Sequence, residues 1–101
     1  MRKIVLLCAG GMSTSVLVNN MKQVALKENY PCEIEAYAVD SVKKVAQGAD
    51  CILLGPQIAY KLEAVRKEVA CPVIDIDMAA YGMMDGKKTL ELAQKLIGDS
   101  Q

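Results

Sequence analysis

Cys8 is followed by Ala9-Gly10-Gly11-Met12-Ser13-Thr14-Ser15, a thiol at the head of a mostly small, hydroxyl-rich run. The run lies between the strand-like segment Ile4-Val5-Leu6-Leu7 and the helix-like segment Val16-Leu17-Val18. Glycines permit a backbone whose N–H groups converge on one anion, and Ser13, Thr14 and Ser15 add donors at what should be a helix N-terminus. The pattern reads as a phosphate cradle with its own nucleophile, and the same field favours the thiolate form. The chain contains no histidine. Any imidazole base or phosphohistidine must therefore come from another protein, and Cys8 is the strong nucleophile on offer.

A cysteine on such a loop suits a phosphatase, an arsenate reductase or a phosphoryl carrier. Low-molecular-weight tyrosine phosphatases place an Arg six residues after the Cys, where this chain has Thr14. No Lys or Arg occurs between Lys3 and Lys22. Amides, hydroxyls and a helix dipole would hold the phosphate without the fixed guanidinium that stabilises charge during hydrolysis. That balance favours a site that accepts a phosphoryl group and passes it on. A small cysteine-dependent phosphatase or arsenate reductase is the runner-up, and a non-catalytic phosphate-binding module is a third reading.

The elements that must position this loop are legible as alternating patterns. Apolar, β-branched runs at Lys3 to Leu7, Glu33 to Val39, Cys51 to Leu54 and Pro72 to Ile76 alternate with helical spacings. The first helix is expected from Ser13, with Leu17, Met21, Val24 and Ala25 inward, ending before Asn29. A short second helix, capped by Asp40 or Ser41, should bury Val42, Val45 and Ala46. Ile58, Leu62, Val65 and Val69 predict a third helix after the turn Gly55-Pro56-Gln57. A last helix from Gly86 to Ile97 should bury Leu90, Ala93, Leu96 and Ile97. This is an α/β chain: a small open parallel sheet of four strands, order 2-1-3-4, with helices on both faces, flavodoxin-like. The ligand edge is then the carboxyl end of the strands, where Cys8 to Ser15, Gly55 to Gln57 and Asp77 to Asp85 fall. Asp75 and Asp77 alternate with Ile74 and Ile76 as on an edge strand. The tail from Gly98 to Gln101 should fray.

With 101 residues the chain reads as one domain, residues 1–101, and can bury a core without staples. That core is aliphatic, since 52% of residues are hydrophobic while Phe and Trp are absent. Twelve basic residues balance twelve acidic ones, which argues against nucleic acid as a partner. Cys32, Cys51 and Cys71 read as structural, reduced thiols. No apolar run approaches the roughly 20 residues of a membrane span, so a cytoplasmic protein is expected. Nothing calls for a metal or cofactor.

Three segments together carry a family resemblance: Cys8 to Val18, Leu53-Leu54-Gly55-Pro56-Gln57-Ile58-Ala59-Tyr60, and Tyr81-Gly82-Met83-Met84-Asp85-Gly86. The chain resembles the enzyme IIB component, lactose/cellobiose type, of the bacterial phosphoenolpyruvate-dependent sugar phosphotransferase system, over essentially its whole length. The resemblance implies that Cys8 takes a phosphoryl group from a phosphohistidine on enzyme IIA. It then hands the group to a disaccharide in the membrane component IIC, meeting the membrane's inner face transiently. The sugar itself is recognised in IIC, so cellobiose, chitobiose and lactose stay open. Ala9 to Ser15 would be the cradle. Met12, Gln57, Tyr81, Met83 and Met84 would form a docking surface for both partners, adaptable because thioethers repack easily. A monomer that docks transiently is expected.

Overall fold

The computed structural model describes residues 1–9 and 13–99. Gly10, Gly11 and Met12 of the expected cradle lie outside the described residues, as do the Ser13 side chain, Ser100 and Gln101.

Four parallel strands form one sheet: β1 (Arg2–Cys8), β2 (Cys32–Ala38), β3 (Cys51–Leu54) and β4 (Val73–Asp75). Their order is β2-β1-β3-β4, as the alternation of patterns predicts. Leu7 pairs with Tyr37 on one side and Leu54 on the other, so the strands end at one edge. Ile4 to Leu7 and Cys51 to Leu54 are unexposed, because central parallel strands are covered on both faces and need apolar residues in succession. The pleat sorts them. Ile4, Leu6, Cys51 and Leu53 pack with Leu17, Met21 and Ala25 of α1 (Ser13–Lys27) and with Leu90 and Ala93 of α5 (Gly86–Ile97). Val5, Leu7, Ile52 and Leu54 pack on the other face with Val42 of α2 (Val42–Val45) and Val65 of α3 (Leu62–Glu68). Helices thus cover both faces of the sheet.

The fold departs from the expected elements in four places. The third helix is shorter than its spacing implies. Pro56–Lys61 forms a tight 3-10 segment in which Ile58 is non-helical, and Val69 is extended. Neither Asp40 nor Ser41 caps α2 with its side chain, since Asp40 sits inside a 3-10 turn of its own. Side-chain capping occurs instead beyond the fourth strand. The segment expected as a loop contains α4 (Met78–Gly82), with Asp77 Oδ2 accepting from Ala80 N at 3.1 Å. Asp77 therefore caps a helix instead of extending β4. Asp85 Oδ1 likewise accepts from Lys88 N at 3.0 Å and caps α5. Finally, within the described part of the expected frayed tail, Asp99 is tied down. Its carboxylate accepts from Arg2 Nε at 2.7 Å, Arg2 Nη2 at 2.8 Å and Tyr30 Oη at 2.7 Å.

Candidate functional site

Cys8 is the last residue of the central strand, and α1 begins five residues later at Ser13. The α1 first turn carries no acidic side chain, so its dipole stays uncompensated toward an anion. Cys8 is 8% exposed, and its Sγ donates to Tyr37 O of the neighbouring strand at 3.7 Å, a weak sulfur hydrogen bond. In this arrangement the thiol rests against β2.

The rest of the edge is built by β3 and the chain after β4. Gly55 N donates to Leu7 O at 2.9 Å, which fixes the turn after β3 against the residue before Cys8. A Cβ on Gly55 would lie 3.1 Å from Gln57 Oε1, 3.7 Å from Leu7 O and 3.9 Å from Tyr81 Cε2. Gly55 is thus the point where β1, Gln57 and Tyr81 converge; a Cβ there would crowd only the flexible end of Gln57, with Leu7 O and Tyr81 at ordinary contact distance. Gln57 itself is exposed, folded back over this glycine.

Tyr81 is not part of an exposed rim: it is 7% exposed. Its hydroxyl lies 3.2 Å from Thr14 Oγ1, a bond within the core. Thr14 is 2% exposed and so turns inward, whereas Ser15 is exposed. The expected cradle hydroxyls therefore differ in access. Met83 is 79% exposed, and Met78 on the same segment is 74% exposed. Met84 is half-buried, with a left-handed backbone at φ 51°, and its carbonyl accepts from Asn20 Nδ2 at 2.9 Å. Turn and helix chemistry around Tyr81 carried no sequence pattern that would reveal its inward orientation.

The other thiols differ from Cys8 in setting. Cys51 is unexposed, and burial pushes its thiol up to about 12. Burial also raises Cys32 and Cys71. All four cysteines are unbridged. Among the described residues no cluster of three or more His, Cys, Asp or Glu side chains could hold a metal. No helix among them is long and apolar enough to cross a membrane. A surface concavity of about 740 Å³ lies at the opposite end of the sheet, between Glu28, Tyr30, Lys87, Glu91, Lys95 and Asp99, away from Cys8.

Over residues 3–92 the chain matches the family described as "PTS system, Lactose/Cellobiose specific IIB subunit". The chain belongs to that family. It is 43% identical over 100 residues to the oligo-β-mannoside-specific EIIB component of Bacillus subtilis, covering 96% of this chain and 97% of that one. It is 40% identical over 102 residues to the cellobiose-specific EIIB component of Lactococcus lactis, covering 93% and 94%. The solution structure of a cellobiose-specific IIB component from Borrelia burgdorferi aligns with a TM-score of 0.82 at 34% identity, over 99% of this chain and 94% of that one. A lactose-specific IIB domain from Streptococcus pneumoniae aligns with a TM-score of 0.80 at 17% identity, over 94% and 96%, which speaks to the fold alone. IIB components work with the other components of the phosphotransferase system and act as phosphotransferases in sugar transport. Nothing in these likenesses supports the phosphatase alternative.

Proposed function

We propose that this IIB protein is a phosphocysteine carrier that takes its phosphoryl group from a phosphohistidine of enzyme IIA and delivers it to a disaccharide held by IIC. The observation that carries the reading is the placement of Cys8 at the end of the central strand, just before the dipole of a long helix with no acid in its first turn. In the first step the Cys8 thiolate attacks phosphorus, an S–P bond forms, and the N–P bond of the donor imidazole breaks. In the second a sugar hydroxyl oxygen attacks phosphorus, the S–P bond breaks, and the thiolate returns. The hydroxyl proton leaves to a general base, which is not an imidazole of this chain because it has no histidine.

The amides of residues 9–15 and the accessible hydroxyls would hold the dianion, without a cation that would speed hydrolysis. Relatives named for oligo-β-mannoside and cellobiose fit a disaccharide or short oligosaccharide as cargo. The working form would be a cytoplasmic monomer that meets IIA and IIC in turn. Incubation with phosphorylated IIA followed by mass spectrometry tests the assignment: the wild type should gain one phosphate on Cys8, and Cys8→Ser should gain none. Phosphate on another residue, or retained by the Cys8→Ser chain, overturns it.

A further inference from the structure

The α1 first turn is held from one side by the chain that follows β4. Thr14 Oγ1 meets Tyr81 Oη at 3.2 Å, and six residues along the same helix Asn20 Nδ2 donates to Met84 O at 2.9 Å. Between these two ties Tyr81 packs its ring edge beside Gly55, whose N–H is bonded to Leu7 O, the residue preceding Cys8. Tyr81 therefore bonds the helix that follows the loop and lies beside the turn next to the strand that precedes it. Its ring belongs to the same core cluster as Leu6, Leu17 and Ile76.

We propose that Tyr81 is a positioning residue for phosphoryl transfer, setting the first turn of α1 relative to Cys8 through its hydroxyl bond to Thr14. The inference rests on the phosphocysteine reading and adds a role that exposure-based docking does not supply. A bond between side chains 67 positions apart in sequence, sealed from water, holds its geometry without competition from solvent. Such support matters for in-line transfer, where small displacements of the holding groups cost rate.

The test is single-turnover transfer from phosphorylated IIA to Tyr81→Phe, Thr14→Val and the double variant. Each change keeps the buried shape and removes one hydroxyl. The saturating rate should fall roughly fivefold to tenfold in either single variant, the scale of one lost hydrogen bond, and no further in the double. The IIA concentration at half-saturation should stay within about twofold, and Thr14→Ser should restore the rate. A wild-type saturating rate in Tyr81→Phe, additive losses in the double variant, or a change confined to half-saturation would each overturn the proposal. If Tyr81→Phe does not fold, Thr14→Val and Thr14→Ser read the same bond. Failure of the folded wild type to take phosphate on Cys8 would instead remove the carrier reading itself, a distinct result.

Discussion

Gly86 has no room for a side chain against Asn20: a Cβ there would lie 2.5 Å from the Asn20 carbonyl carbon and 2.7 Å from its oxygen. Helices α1 and α5 therefore meet backbone to backbone at the point where α5 begins. The contact lies beside the Asn20 to Met84 hydrogen bond, so the two together set how closely the chain after β4 approaches α1.

Gly86→Ala should accordingly destabilise the protein by about 3 kcal/mol, since the obstructing atoms are backbone and cannot rotate aside. Urea unfolding checks this, and an unchanged midpoint would show that the helices separate without cost.

Cys51 should govern part of the alkaline limit of stability. Its thiol is raised in the fold by burial to about 12 from an ordinary 9.0, so its contribution is complete below pH 9 and is lost as the pH rises toward 12. Cys51→Ala should cost about 1 kcal/mol near neutrality. Its stability should then fall less steeply than the wild type's between pH 9 and 12, by about one proton's worth of slope. Phosphate acceptance should be unaffected in this variant, as in Cys32→Ala and Cys71→Ala.

Asp99 sets the acid limb at the other end of the sheet. The Arg2 guanidinium and then the Tyr30 hydroxyl hold its carboxyl below the ordinary 3.8. A lowered acid stabilises the fold above its ordinary value and loses that effect as the pH falls through the lowered one. Melting temperatures recorded from pH 5 down to pH 2 should drop further for the wild type than for Asp99→Asn. Equal drops would mean that the tail contact contributes nothing, as exposed ion pairs sometimes do.

Docking should depend on the exposed methionines. Met83→Asp should weaken binding of IIA and transfer to IIC-bound sugar together, by roughly 1 to 3 kcal/mol if Met83 is an interface anchor. Its melting temperature should stay put, because Met83 is 79% exposed. Loss of one partner alone, measured by titration calorimetry with IIA and by sugar phosphorylation, would mean that the two surfaces do not coincide.

Residue order alone pointed to the four parallel strands and the span of the last helix, because continuous apolar runs bounded by turns and apolar positions at a period of 3.6 are local properties that burial on both faces or on one imposes, and the strand order followed from the right-handed crossovers that such an alternation requires. It also placed Cys8 on a loop after the first strand. Tertiary structure decided what a period cannot encode. The Tyr81-Gly82-Met83-Met84 segment offers no repeat from which to tell which side chain turns inward, and only the packed sheet edge puts the Tyr81 hydroxyl on Thr14. Thr14 and Ser15 are equivalent as donors in the sequence, yet α1 buries one and exposes the other by about 100° of helical rotation. The Asp77 cap and the Asp99 tether arise in the same way, from groups brought together by the fold and satisfied there because orphaned backbone donors and a nearby guanidinium each need a carboxylate.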